Sequence, residues 1–357
     1  MTDNLDLLNL SLKTHLAAEF ALEGVTDICI NRPQEVFIKT ATGWQPPIER
    51  PSLTYAECRE LATYISSSAG RNFGKDKTLL SARLPTGERV FIVHPPSAEQ
   101  GTVVFAIRRQ ALISRTFDDL ADDGLFDLVN PSATSLRGFE TELLEIKHAA
   151  EEAIRKGDQK ASRDFFRQFF QRAVNERLNI VMSGGTGVGK TTMQNAILQL
   201  ISPKDRIVTL EDAREINLPN QRNHVHLLYE TDGGESKATV GDLMKGVLRM
   251  IPSRIISGEL RGSEAWEFLI NVSSDHPGTV TTIHAGSVEG AFTMLMARMR
   301  QHQDCGPNYS DAFLRSMLYQ QVDIVAQFKL IRLESGKEVR RITELYYEPE
   351  RKYAHTA

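Results

Sequence analysis

The segment that decides the fold is "VMSGGTGVGKTTMQNAIL", residues 181–198, in which an apolar run breaks into glycines and restarts as a helix-forming stretch. Within it, "GGTGVGKT" matches the pattern G-x-x-x-x-G-K-[ST], with Gly184 first, Gly189 sixth, and then Lys190 and Thr191. The β-rich "NIVMS" precedes the loop, so the local order is strand, glycine turn, helix. This context predicts a loop that binds phosphate groups.

Glycines let the backbone turn so that successive N–H groups point inward, and the helix that begins there adds its positive dipole end. We expect Lys190 to reach the β- and γ-phosphates and the Thr191 hydroxyl to ligate Mg²⁺. A dinucleotide site would need G-x-G-x-x-G, which this turn does not supply. The residues predicted to line a nucleoside triphosphate are Gly184, Gly185, Thr186, Gly187, Val188, Gly189, Lys190, Thr191 and Thr192.

Three later segments are predicted strands that end in polar residues. In a parallel sheet such strand ends lie at one edge, where ligand groups gather. "IVTLEDARE" offers Glu211, Asp212 and Glu215, "RIISGE" ends in Glu259, and "GTVTTIH" ends in His284. Carboxylates near a polyphosphate usually serve Mg²⁺ and water, and the histidine could detect loss of the γ-phosphate. The side chains predicted to hold magnesium are Thr191, Glu211, Asp212 and Glu259.

The change in periodicity along the 357 residues predicts an α/β protein of two domains. Residues 1–130 are typical of a smaller α+β domain with a mixed sheet, and residues 131–177 of a helical linker. From residue 178 to 357 strands and helices alternate, which indicates a mostly parallel sheet covered by helices on both faces.

Two apolar helix faces, one in the first helix and one in the predicted linker, are expected to pack against other parts of the protein. Leu5, Leu8, Leu12 and Leu16 share one face of the first helix, which carries too few basic residues for a typical membrane-surface helix. The phenylalanines at positions 165, 166, 169 and 170 are expected to pack against the next domain.

Charge and cysteine usage limit the classes of protein. A formal net charge of −4 and a pI near 6.2 argue against a chain that coats nucleic acid, so direct nucleic-acid binding is not expected. Three scattered cysteines suit a reducing cytosol. The first residues, "MTDNLDLLNL", do not resemble a signal peptide, and no apolar run approaches the ~20 residues of a membrane span. A cytoplasmic protein is expected.

Beyond the glycine loop, three segments resemble motifs of the secretion ATPase superfamily. "TLEDAREINL" resembles its acidic box, "LRMIPSRIISGELRGSEA" its Walker B segment, and "SSDHPGTVTTIHAGS" its histidine box. The chain is most similar to the VirB-type traffic ATPases of type IV secretion systems. It lacks the four-cysteine insertion common in the type II branch and the terminal helix motif of the pilus-retraction branch.

This resemblance implies a RecA-like P-loop NTPase domain that hydrolyses ATP with Mg²⁺ in a homohexameric ring. Lys190, Glu211, Glu259 and His284 would be the catalytic residues on the carboxy-terminal side. In relatives, arginines of the amino-terminal domain contact the phosphates, and the matching positions here are Arg89 in "GERV" and Arg108 in "AIRR".

The family likeness also implies a working context. It places the chain peripherally at the cytoplasmic face of the bacterial inner membrane, with other type IV secretion components and possible membrane contact. The expected function is a motor that powers substrate export or pilus assembly. Two alternatives stay open, a RecA-like DNA translocase and a nucleotide-gated assembly scaffold.

Overall fold

The computed structural model describes residues 2–109, 116–129, 136–229, 238–274 and 276–353. The expected domain boundary at residues 130 and 131 lies outside these ranges. No helix in the described part is long and apolar enough to cross a bilayer.

The amino-terminal part is an antiparallel sheet with two long helices and one short helix. Its strand order is β3-β2-β1-β7-β6-β5, with β4 paired to β2. Every pairing described in this sheet is antiparallel, so the expectation of a mixed sheet was wrong. Most of its strands are joined by short turns, which cannot return a strand in parallel. The elements are α1 (Thr2–Ala21), β1 (Asp27–Ile30), β2 (Glu35–Thr40), β3 (Gly43–Trp44), β4 (Ile48–Glu49), α2 (Tyr55–Ser68), β5 (Leu79–Arg83), β6 (Arg89–Val93), β7 (Val104–Arg108) and α3 (Phe117–Asp122).

Helix α1 packs on its own domain, as its apolar spacing predicts. Leu8, Leu12 and Leu16 are buried in one cluster with residues of α2 and the sheet. Leu5 was expected on the same face but is 42% exposed, because it lies in the first turns of the helix, before the buried stretch.

The carboxy-terminal part is built on parallel strands. Strands β10, β9 and β11 pair in parallel, as do β12, β8 and β13, and β14 closes the second group antiparallel to β13. The two groups meet where Leu260 N donates to Thr282 O at 3.0 Å. The elements are α4 (Gly138–Arg155), α5 (Gln159–Asn175), β8 (Ile180–Gly184), α6 (Lys190–Leu198), β9 (Ile207–Glu211), β10 (His224–Leu228), α7 (Val240–Val247), β11 (Arg254–Ser257), α8 (Glu264–Ser273), β12 (Val280–Ile283), α9 (Val288–Met299), α10 (Asp311–Gln321), β13 (Ile324–Arg332), β14 (Glu338–Tyr346) and α11 (Glu350–Tyr353).

The two helices expected as a linker pack against this second sheet. Phe169 and Phe170 of α5 are buried in one cluster with Ile180 of β8, and the Phe169 ring lies 5.4 Å from that of Tyr347. Phe165 and Phe166 are half-buried. The prediction that these phenylalanines pack against the next domain is therefore confirmed for Phe169 and Phe170.

One buried guanidinium joins the two parts of the chain. Arg206 is fully buried, donates to Asn31 Oδ1 at 2.7 Å and Met250 O at 2.8 Å, and lies over the Trp44 ring at 5.2 Å. Asn31 and Trp44 belong to the amino-terminal sheet, whereas Arg206 immediately precedes β9. Because a buried charge without hydrogen bonds is costly, this contact fixes how the two sheets meet.

A histidine in the same interface is held in its neutral form. The His224 Nδ1–H group donates to Gln221 O at 2.5 Å, and Nε2 accepts from Arg32 Nη2 at 3.1 Å. Burial, and to a smaller extent the nearby Arg32 charge, lower the pKa of His224 to about 4, although the hydrogen bond to Gln221 O opposes the shift. A proton on Nε2 would remove the acceptor that Arg32 uses.

We expect acid to destabilise the protein through His224. Between pH 6.5 and 4 the unfolded chain binds a proton at this position that the folded chain does not, so stability falls as the pH falls. Replacing His224→Gln should reduce the stability lost between pH 7 and pH 5 by about 2 kcal/mol, measured by urea unfolding at both values. His148→Gln, on the exposed side of α4, is the matched control and should leave the loss unchanged. Equal pH dependence in the wild type and His224→Gln would contradict the assignment.

Candidate active site

The glycine loop joins β8 to α6 through left-handed backbone that side chains rarely tolerate. Gly187 has φ 74° and Gly189 has φ 97°, and α6 begins at the next residue, Lys190. Val188 is buried beside Gly184, where an added Cβ would lie 2.8 Å from Val188 Cγ2. The predicted loop and helix are therefore both present, with the turn formed by residues 185–189.

The Lys190 ammonium lies inside the loop. Its Nζ donates to Gly184 O at 2.8 Å and Gly185 O at 2.7 Å, and it lies 3.4 Å from His284 Nδ1. Burial lowers the pKa of Lys190, and the charge of Glu259 opposes that shift. The lysine thus occupies the loop with only neutral groups as direct partners among the described residues.

His284 connects this lysine to Glu259. His284 Nε2 lies 3.0 Å from Glu259 Oε1. Because Nδ1 accepts from Lys190, the proton of the neutral ring belongs on Nε2, the nitrogen that lies close to the carboxylate without forming an aligned hydrogen bond to it. Burial lowers the pKa of His284 and the Lys190 charge lowers it further, while Glu259 opposes the shift. The structure therefore places three of the sequence-predicted residues in one row, with a hydrogen bond between Lys190 and His284 and a close charge contact between His284 and Glu259.

The acidic segment after β9 reaches the start of α6 through Glu215. Thr191 Oγ1 donates to Glu215 Oε2 at 3.3 Å. Asp212 pairs with Arg261, whose other Nη group lies 3.1 Å from Glu259 Oε2. One guanidinium thus links two of the predicted carboxylates, and Thr191 contacts a third.

Glu211 lies at the same strand end but points into the core. It is 1% exposed, and its Oε2 accepts from Glu215 N at 2.8 Å and Ile216 N at 2.7 Å. Its Oε1 accepts from Thr209 at 2.6 Å and lies 2.9 Å from His226 Nδ1. Burial opposes its ionisation, but these hydrogen bonds outweigh burial and hold the pKa of Glu211 below its usual value. The expected direct contact of Glu211 with Mg²⁺ does not fit these contacts.

His226 is a site residue that motif reading missed. Its Nε2 lies 2.8 Å from Arg214 Nη2, and Arg214 Nε donates to Glu99 of the amino-terminal part at 2.9 Å. The signal was the alternation "HVH", which placed His224 and His226 on one face of a strand. Both histidines take part in hydrogen bonds, and within the described ranges no group of three or more His, Cys, Asp or Glu side chains could hold a metal ion.

Arg89 and Arg108 lie together, away from this row. They are cross-strand partners in β6 and β7 and line a cavity of about 420 Å³ with Lys245 and Arg249. Arg108 Nε donates to Asp27 Oδ1 at 2.9 Å. Within the described residues no hydrogen bond or ion pair joins either arginine to the glycine loop. The structure thus brings the two predicted arginines to each other but not to Lys190.

A family model for "Type II/IV secretion system protein" matches residues 142–353. The type IV secretion system protein VirB11 of Brucella suis is 37% identical over 336 residues, covering 92% of this chain and 87% of that protein. PtlH of Bordetella pertussis, also a type IV secretion system protein, is 36% identical over 330 residues, covering 91% of each chain.

One solved structure matches the whole architecture. The crystal structure of the VirB11 ATPase from the Brucella suis type IV secretion system, in complex with sulphate, superimposes with a TM-score of 0.86 at 35% identity. The match covers 97% of this chain and 99% of that one. The family model, the similar proteins and the solved structure agree, and the chain belongs to the family of type II/IV secretion system proteins.

Proposed function

We propose that this protein is an ATP-hydrolysing motor of a type IV secretion system, with a RecA-like P-loop NTPase domain as its engine. The observation that carries the proposal is the row formed by Lys190, His284 and Glu259 at the start of α6. A phosphate-binding cation and a carboxylate that can orient the attacking water are two of the parts that hydrolysis of a bound triphosphate uses.

Lys190 supplies the charge that binds the nucleotide. Its Nζ is buried against two carbonyl oxygens, and burial lowers its pKa. An anionic phosphate oxygen is a stronger acceptor than a carbonyl for an ammonium group. ATP binding therefore draws Lys190 toward the β- and γ-phosphates and stabilises its charged form.

Glu259 orients the attacking water, whose oxygen bonds to the γ-phosphorus as the bond from that phosphorus to the bridging oxygen breaks. ADP leaves with the electron pair of the broken bond, and one proton of the water passes to the Glu259 carboxylate. The carboxylate accepts a hydrogen bond from that water and is itself held by His284 and Arg261. When phosphate leaves, the environment of the His284–Lys190 pair changes. His284 is thus placed to register the loss of the γ-phosphate.

The residues near Thr191 fit magnesium only together with nucleotide oxygens. Mg²⁺ is typically bound by one or two protein oxygens plus phosphates and waters. Thr191 and Glu215 are in contact, and Asp212 and Glu259 share Arg261 beside them. In this role the ion would neutralise charge that develops on the phosphates.

Glu211 acts in the proposal as a positioning residue. Its carboxylate fixes the backbone N–H groups of Glu215 and Ile216, and Glu215 in turn contacts Thr191. The carboxylate shapes the loop that faces magnesium without touching the ion.

The wider setting follows the family likeness. We propose a homohexameric ring at the cytoplasmic face of the bacterial inner membrane, bound there peripherally with other type IV secretion components. The phosphate contacts of Arg89 and Arg108 would form in that assembled ring. Support comes from the near full-length similarity to VirB11 of Brucella suis, described as a type IV secretion system protein.

Replacing Lys190→Ala should lower the rate of ATP hydrolysis by at least about 100-fold, because the loop loses its phosphate-binding cation. Phosphate release with Mg²⁺ measures the rate, and native mass spectrometry measures the ring. Lys204→Ala, an exposed lysine on the turn after α6, is the control and should retain wild-type activity. A monomeric protein whose activity survives Lys190→Ala would refute the motor.

Glu259→Gln should separate binding from hydrolysis. The amide keeps the size of the carboxylate but cannot accept a proton from water, so turnover should fall about 100-fold while ATP binding persists. Calorimetry measures ATP binding and phosphate release measures turnover. An assay in cells measures export. Export that continues at the wild-type rate with this variant would favour the scaffold over the motor.

Glu211→Gln should destabilise the fold by about 1–3 kcal/mol in urea unfolding. The Glu211 carboxylate accepts hydrogen bonds through both of its oxygens, whereas an amide has only one oxygen. At least one buried donor among Thr209 Oγ1, Glu215 N and Ile216 N therefore loses its partner. Glu215→Gln changes an exposed carboxylate by the same chemistry and should alter stability by less than about 0.5 kcal/mol. Equal stability of the two variants would show that the Glu211 network is not structural.

A further inference from the structure

The antiparallel pair β13–β14 lies against the glycine loop. A Cβ added at Gly184 would lie 2.8 Å from Phe328 O of β13. A Cβ added at Gly189 would lie 2.9 Å from Arg340 Cδ of β14. Arg340 Nε donates to Gly187 O at 3.1 Å. The loop therefore touches this strand pair near both of its ends, and β14 places one arginine directly on it.

The same strands also reach the segment that follows His284. Gln327 Nε2 of β13 donates to Ala285 O at 3.2 Å, and Val288 N donates to Glu344 Oε2 of β14 at 2.9 Å. The position of β14 is thus tied to two of the segments that form the candidate active site. These hydrogen bonds position the strand pair that carries Arg340.

Most of the Arg340 guanidinium is unused. A guanidinium presents five N–H donors, and here only Nε has an acceptor among the described residues. The side chain is exposed and forms no ion pair within the part of the chain that the structure describes. Contact with the loop uses only Nε, so the charge and both exposed Nη groups stay accessible to a ligand.

The loop already carries positive charge. Lys190 Nζ contacts the carbonyls at the start of the loop, and the positive dipole end of α6 lies at its end. Arg340 brings a second cation to Gly187 in the middle of the same turn. Lys190 and Arg340 thus contact different carbonyls of one glycine-rich turn.

We propose that Arg340 is a nucleotide-binding residue that donates to the phosphate chain of ATP and ADP. Resting on the proposed function, this assigns it to the phosphates that remain after hydrolysis. No described contact joins Arg340 to Lys190, Glu259 or His284, the groups assigned to the γ-phosphate. A residue that contacts phosphates common to substrate and product strengthens binding without speeding the chemical step.

The test is equilibrium binding by the full-length Arg340→Gln variant. Glutamine keeps an N–H donor for the Gly187 carbonyl but removes the charge. Calorimetry with ADP and Mg²⁺, and with ATP in the absence of Mg²⁺, should show about tenfold weaker binding of both nucleotides. Turnover at saturating ATP should stay within about twofold of wild type. Arg341→Gln is the matched control, because Arg341 is the exposed neighbour whose Nη1 donates to the Arg340 carbonyl and, in the part of the chain that the structure describes, to no group of the glycine loop. The nucleotide affinity of this control variant should equal that of the wild type.

A purely structural role gives a different result. If Arg340 only braced the loop, Arg340→Gln would bind as tightly as wild type while Arg340→Ala would not, and this outcome overturns the proposal. A fall in turnover at unchanged affinity overturns it as well. Wild-type protein that binds no nucleotide would remove the proposed function itself. If the wild type binds nucleotide and Arg340→Gln binds it equally tightly, only the role proposed for Arg340 is refuted.

Discussion

A buried ammonium group that lacks a charged partner in direct contact is the constraint on which the candidate site depends. Lys190 Nζ is satisfied by two loop carbonyls and by His284, while the nearest carboxylate, Glu259, is reached through the histidine. Burying a charge without a counter-charge is costly, and an anionic ligand removes that cost. The left-handed glycines shape the turn around this ammonium group, and the loop carbonyls and His284 hold it there.

The site is also connected to the amino-terminal sheet by a continuous row of hydrogen bonds. Its members, in order, are Glu99, Arg214, His226, Glu211, Glu215 and Thr191. A contiguous network of this kind is the physical requirement for the two parts of the chain to influence each other. Together with the buried Arg206, it makes the relative position of the two sheets part of the active-site geometry rather than a separate property.

Much of this arrangement could be predicted from local pattern. The glycine loop needs specific residues at adjacent positions, so its strand, turn and helix were readable, and Glu259 and His284 followed because parallel strands end at one edge. Glu211 was placed at the correct strand end, but its direction was not predictable. Whether a carboxylate faces solvent or core depends on partners such as His226, which lies on another strand.

The sequence by itself determined that the carboxy-terminal half folds around a parallel sheet with a phosphate-binding loop, because periodicity and turn chemistry are local properties. Only the tertiary structure decided that Arg206 is buried between the two sheets and that Arg89 and Arg108 lie together away from Lys190. It alone placed Arg340 on the loop, 153 residues after Gly187. Contacts between side chains so distant along the chain arise from how the strands stack and pair, and no local pattern encodes that packing.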